Sequence, residues 1–450
     1  MKKLGKKASV ALAVGMGMTV LVSGCGTSNN TSSTSNAAGN SATASSTGTT
    51  TAAPVKVTFW EGMSGQLGGV LQHLVTEFNS THKGVHVDAI YEGSYADPSS
   101  TLQQKLLAAI ASGKVPDMVQ VEVHSLPTYA ANGAFENLTS YMASSSHDQK
   151  SDFVPGILYN TTYNNVIYGL PFNRSVQTFY YNPKMFKEAG ISGPPKTWAD
   201  VEKDAAIIHA KLSKPGHEVF GFEPAGGWWT FEQNVLSAGG TLMNSSMTKA
   251  TFDTPQAAAV LRIMAQMEKQ GTMTYHSSAN GWDETIADFG DGRTAMYCGS
   301  AADMGQIRET KLAFKAAPMP YVTQPVVTSG GADMAIMSQA PAAAKKAAWE
   351  FMEWMTAPAQ TEYWSMNTGY MPVLQSAITS STMQTYYQQH PNAYVPVQEL
   401  KYAEQAPPTP LYLELQHYEQ NAVDDVLVKH EPVMQALKTN VQKANQAISQ

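Results

Sequence analysis

From Val55 onward the hydrophobic period of the sequence switches back and forth between two values, and that alternation restricts the chain to a sheet covered by helices. VKVTFW (55–60) has the β-branched and aromatic content of a strand. Leu67, Val70, Leu71, Leu74, Val75 and Phe78 then recur in steps of three and one, the face of a helix. GVHVDAIY puts Val85, Val87, Ala89 and Tyr91 on one side of a second strand; Leu102, Leu106, Leu107 and Ile110 mark a second helix, stopped at Gly113. PDMVQVEV (116–123) is a third strand. This order predicts a parallel sheet with helices on its faces. The pattern resumes at TFYYN (178–182), followed by a helix with Thr197 as N-cap and Trp198, Val201, Ala205, Ile208 and Leu212 along one face. GRTAMYCGS and GADMAIM read as strands around a helix from Ala301 to Glu309. Residues 342–364 read as one long helix and the chain from Pro432 as an amphipathic one, with no internal repeat.

The N-terminus is of another kind. Lys2, Lys3, Lys6 and Lys7 precede an uncharged run from Ala8 to Val22 that is too short to span a bilayer, then LVSGCG. Residues 1–24 are therefore expected to be an export signal. Ser23 and Gly24 before Cys25 resemble the bacterial lipobox, whose thiol takes a diacylglycerol, so Cys25 is the expected lipid anchor on the outer face of the cell membrane. Residues 26–55 carry no charged side chain. Such a tract cannot bury a core, and 25–54 is expected to be a tether spanning roughly 30 Å. About 395 residues follow, enough for two domains. Cys298 is the only other cysteine, so stability must come from apolar packing. Without the four signal lysines, 25 Lys+Arg stand against 36 Asp+Glu, a net −11 that argues against nucleic acid as partner.

No phosphate-binding loop, nucleophile elbow or zinc-protease motif occurs. His82 and His86 have a helical metal spacing, but Gly84 and the alternating Val85 and Val87 put them on the approach to a strand, and no metal or cofactor is expected. Cys298, in an apolar strand with no histidine close in sequence, reads as a small buried hydrophobe. Asp283 and Glu284 could form a glycosidase pair only if their separation suited one. What the chain does repeat is aromatic residues beside glycine-rich polar turns: FWEGMSG, EGSY, GGWWTFE with Trp228 and Trp229, MYCGSAAD and NTGYMP. Indole and phenol rings stack on sugar rings while neighbouring amides and carboxylates bond hydroxyls, so these turns point to a ligand cleft.

FWEGMSG, YEGSY, PDMVQVE, LPFNRSVQTFYYNPKMFKEAGISGPPKTWADV, FGDGRTAMYCGS, MPY, SGGAD and NTGYMPV occur in this order. Together they resemble the solute-binding lipoproteins of bacterial ABC importers, in the carbohydrate-binding family that includes maltose binders and, nearest in pattern, its sn-glycerol-3-phosphate-binding branch. The resemblance covers nearly everything from Val55 on. It implies an α/β, periplasmic-binding-protein-like fold: two discontinuous lobes, 55–169 with 326–370 and 170–325 with 371–450, hinged about a cleft. LPFNRS becomes the polar crossover between lobes, and Gly330, Gly331 and Gly369 suit hinges. It implies ligand contacts at Tyr95, Ser175, Ser300, Gly331 and Tyr370, which match the family's residue types. The family's acidic contact falls at Val123, with Glu122 one place away, and its phosphate-binding arginine falls near Tyr412. Of the four arginines only Arg174 is placed to compensate, so the expected ligand is either a phosphorylated polyol held by Arg174 or a neutral oligosaccharide stacked on Tyr412 and on Trp228 or Trp229. The implied partners are that small solute, an ABC permease pair and, through Cys25, the membrane, with the chain a monomer. A secreted glycan-degrading lipoprotein and a sensory ligand-binding domain are the competing readings.

Overall fold

The protein is described from a computed structural model over residues 53–95, 100–145, 150–278, 280–404 and 407–449. The expected signal, Cys25 and the tether up to residue 52 lie outside these residues. Eleven strands occur among them: β1 (Val55–Glu61), β2 (Val85–Tyr91), β3 (Met118–Glu122), β4 (Thr162–Tyr163), β5 (Val166–Ile167), β6 (Leu170–Tyr181), β7 (Phe220–Pro224), β8 (Thr294–Ser300), β9 (Lys315–Ala317), β10 (Val327–Ile336) and β11 (Ala403–Glu404). β4 and β5 form a separate hairpin whose turn residues, Asn164 and Asn165, both have positive φ.

The main sheet runs β2-β1-β3-β10-β6-β8-β7, with β9 also on β6 and β11 also on β10. β1 pairs in parallel with β2 and β3, and β7 with β8, as the strand-helix alternation predicts. The centre departs from that expectation, because β10 is antiparallel to both β3 and β6, and β6 is antiparallel to β8. Two long strands passing in opposite senses thus join two halves. β6 pairs with β10 over Leu170–Val176 and with β8 over Gln177–Tyr181. LPFNRS, expected as a polar crossover between lobes, is itself strand. Its backbone groups are taken up by β10, which makes one unbroken buried strand of loop-like residues.

Side chains alternate across β6, so Phe179 and Tyr180 serve different cores. Phe179 stacks on Phe222, which Trp198 meets edge-on; Tyr180 stacks on Tyr297, which meets Phe289. Phe59 and Phe78 pack on Phe351 in the first half. Fully burying each such ring contributes about 1.5–3 kcal/mol. Thr197 and Asp200 form a reciprocal capping box that opens the helix Trp198–Leu212. The single helix expected over 342–364 is two, Ala342–Thr356 and Pro358–Thr368, because Pro358 has no N–H to continue the first and suits the first turn of the second. Val154 N donates to Val373 O and Gln375 N to Asp152 O, so the chain just after Tyr370 runs along the first half.

Candidate functional site

β1, β3, β7 and β8 all end at one crevice, the place where open α/β sheets bind ligands. A cleft of about 730 Å³ lies there, lined by Gly62, Met63, Tyr95 and Glu122 beyond the first set of strands and by Gly226, Trp228, Trp229 and Ser300 beyond the second. Ser175 of β6, Gly330 and Gly331 of β10, and Tyr370 complete the floor. Eight of the ten residues expected to touch a ligand thus meet in one cleft: Tyr95, Glu122, Ser175, Trp228, Trp229, Ser300, Gly331 and Tyr370.

Arg174 and Tyr412 are not among the lining residues. Arg174 is fully buried; its Nη1 donates to Asp333 Oδ1 at 2.7 Å and its Nη2 to Ser329 Oγ at 2.8 Å. Side chains alternate along β6, so the residue beside Ser175 points into the protein. Tyr412 opens the helix Tyr412–Leu427, where its hydroxyl donates to Glu232 Oε2 at 2.8 Å and its ring lies 4.9 Å from that of His124. Both belong to a charged layer beneath the cleft; Arg174 keeps one unpartnered donor there, its buried Nε, and neither side chain lines the cleft.

That layer is only partly matched: Glu232 Oε1, Asp333 Oδ2 and Arg174 Nε are buried without partners. Glu122 Oε2 accepts from His124 N, Ser125 N and Ser125 Oγ at 2.8–3.0 Å, and Glu122 Oε1 lies 3.0 Å from His124 Nδ1. Burial pushes the Glu122 carboxyl up, but His124 and these donors outweigh it and hold the group below the usual range. Burial likewise works against a charged His124, and Glu122 and Glu232 reverse it, so its pKa is raised. Glu419, whose carboxylate oxygens have no hydrogen-bond partner, is pushed well up by burial and by Glu232.

The floor is tied together by a chain of side-chain hydrogen bonds. Gln120 accepts from Gly62 N at 2.8 Å and donates to Asn173 Oδ1 at 2.8 Å; Asn173 Nδ2 donates to the Tyr95 hydroxyl at 2.6 Å, which lies 2.9 Å from that of Tyr370. Glycines admit the aromatics: a Cβ on Gly330 would stand 2.5 Å from the Trp229 ring, and one on Gly226 2.5 Å from the Trp282 ring. Trp229 and Trp282 stack with centroids 6.1 Å apart, and Trp229 Nε1 is buried with no partner. Trp282 Nε1 donates to Asp303, which also accepts from Tyr297 Oη and Ser300 N; burial pushes this carboxyl up to about 7.

Sequence reasoning missed Trp282, Asp303, Tyr275 and Gln420, all of which line the cleft. Trp282 follows Gly281 and fits the aromatic-beside-glycine rule already in use. Gln420 lies within a helix far along the chain, and no local signal marks it. There it donates to the Tyr275 hydroxyl at 2.8 Å and accepts from Trp228 N at 3.1 Å. Cys298 is buried as expected, its thiol pushed up to about 12 by burial.

Comparison with known proteins agrees with this geometry. Residues 73–392 match the profile of the family described as bacterial extracellular solute-binding protein. The sn-glycerol-3-phosphate-binding periplasmic protein UgpB of Yersinia enterocolitica is 28% identical over 372 residues, 77% of this chain and 81% of the relative. The crystal structure of UgpB from Mycobacterium tuberculosis in complex with glycerophosphocholine has a TM-score of 0.78 at 22% identity, covering 87% of this chain and 98% of that one. A solute-binding protein from Thermotoga lettingae bound with α-D-tagatose has a TM-score of 0.77 at 23% identity, covering 88% and 100%. The two-lobed fold is thus shared, and the family's members are binding proteins that serve ABC permeases outside the cytoplasm. The chain belongs to the bacterial extracellular solute-binding proteins.

Proposed function

We propose that the cleft captures an uncharged oligosaccharide and that the chain delivers it to an ABC permease pair without chemistry on the ligand. One observation carries this choice: among the described residues, no lysine or arginine lines the cleft. Tight recognition of a phosphate is most often anchored by a guanidinium or ammonium group with free donors. Arg174 spends its two terminal nitrogens on Asp333 and Ser329, while the Asp283 and Asp424 carboxyls line the cleft and would repel an anion. The lining aromatics Trp228, Trp229, Trp282 and Tyr275 instead suit stacked pyranose faces, and the orphaned Trp229 N–H suits a sugar hydroxyl. In this reading the lobes are 55–169 with 326–370 and 170–325 with 371–450, crossed by β6 and β10, except that residues 373–375 bond to 152–154 and stay with the first lobe. They close because only the closed state makes both sets of contacts. Cys25 carries the lipid that holds the chain, as a monomer, to the outer face of the membrane.

Calorimetry against a panel of neutral oligosaccharides and sn-glycerol 3-phosphate tests the choice. At least one neutral sugar is expected to bind with a micromolar Kd, glycerol 3-phosphate to give no heat, and Trp282→Ala to weaken the sugar by about tenfold or more, the loss of one stacking face. Tighter binding of glycerol 3-phosphate than of every neutral sugar, or release of new reducing ends from any of them, would overturn the reading.

A further inference from the structure

Beside the rim of the cleft, three stretches distant in sequence bring metal-ligating side chains together. Glu223 belongs to β7, Asp288 to the helix Gly281–Gly290, and His276 to the segment that a bridge between Met273 and Phe222 lays along β7. His276 Nε2 lies 3.2 Å from Glu223 Oε1 and 3.2 Å from Asp288 Oδ2, and one ligand atom from each residue lies within 4.8 Å of the others. Around a zinc-sized ion with bonds of about 2.0–2.2 Å, tetrahedral neighbours stand roughly 3.3–3.6 Å apart, close to the two 3.2 Å distances from His276.

We propose that Glu223, His276 and Asp288 form a binding site for one divalent transition-metal ion of zinc type, with the remaining position open to water. Each ligand has the outer partner that such sites need to fix its orientation. The other ring nitrogen of His276 lies 3.4 Å from Glu284 Oε2, the carboxylate–histidine arrangement of metal centres. Thr285 and Thr294 hydroxyls donate to the two oxygens of Glu223 at 2.9 Å, and Arg293 donates to Asp288 Oδ1 at 2.7 Å, leaving Oδ2 to face the histidine. Glu223 is fully buried, whereas the His276 side chain is 27% exposed, which gives an ion a way in. One imidazole with carboxylates is a donor set for zinc, not for calcium or magnesium. His276 and its neighbours Ser277 and Ser278 line the cleft, so the ion would fix one stretch of its wall. The proposal holds whatever solute the cleft takes.

The test is calorimetric titration of the chelator-treated protein with ZnCl₂, repeated on His276→Ala and Asp288→Asn, with cobalt(II) as a coloured substitute. One equivalent is expected to bind, each substitution to weaken it by more than about tenfold, and the visible cobalt band to vanish in His276→Ala. Thermal melts of both variants confirm that they fold. Absence of stoichiometric uptake by the wild type, or uptake that both folded variants retain, would show that the cluster is an ion-pair hub held by a protonated His276 and would overturn the proposal.

Discussion

Gly331→Ala is expected to disrupt the crossover between the two halves of the sheet, costing more than about 4 kcal/mol or preventing soluble expression. Gly331 has φ +94, a region L side chains rarely adopt, and a Cβ there would stand 1.8 Å from the Asn173 carbonyl oxygen. That oxygen is backbone in the paired strand β6 and cannot swing aside. Relief would require β6 and β10 to separate where Gly331 pairs with Arg174, and Ser175 and Asn173 beside it carry the cleft floor. Urea unfolding measures the cost, with Gly69→Ala as the control. Gly69 sits inside the helix Gly65–Thr81 with nothing within 4 Å of a Cβ, so that change should stabilise by about 0.5–1 kcal/mol. A Gly331→Ala protein with the wild-type midpoint would mean that the strand pair is looser than described.

Arg174→Met is expected to cost about 3–5 kcal/mol at pH 8, because it leaves Asp333 buried without its counter-ion. Burial pushes the Asp333 carboxyl up to about 6, with Arg174 pulling against it. Removing the guanidinium lets the folded-state pKa rise further. An acid with a raised folded-state pKa loses stability as pH climbs from its unfolded value, about 3.9, through the folded one. The penalty should therefore be smaller at pH 5, where folded Asp333 is largely protonated with or without its partner. Adding Asp333→Asn should recover most of the loss, since breaking a buried pair costs far more than replacing both members. Urea unfolding of the two variants at pH 5 and 8 checks each step. Unchanged stability together with lost solute binding would assign Arg174 to the ligand after all.

The alternating periods exposed the parallel outer strands of each half because local hydrophobic pattern suffices for them. The centre of the sheet was not legible in the same way. Nothing within LPFNRS or SGGAD says that these two polar stretches will satisfy each other's backbone groups, since that pairing is non-local. The break at Pro358 was legible, and the apolar stripe across 342–364 masked it. In the site, glycine beside an aromatic found Trp228 and Trp229 because the glycine makes room for a ring. The resemblance found the neighbourhood of Arg174 but not its direction. The alternation that sends Ser175 to the cleft and Arg174 beneath it depends on strand register, which the reading of this segment as a polar crossover left undefined. Tyr412 and Gln420 begin and line a helix that reaches the cleft through tertiary packing alone, and Glu223, His276 and Asp288 meet in the same way.

Small-angle X-ray scattering of the protein, alone and saturated with the neutral oligosaccharide that calorimetry identifies, tests the central claim most directly. Two lobes gripping an uncharged guest should give a smaller radius of gyration with the sugar and no change with an equal concentration of sn-glycerol 3-phosphate. A radius that stays constant with the sugar, or contracts only with the phosphate, would contradict the account.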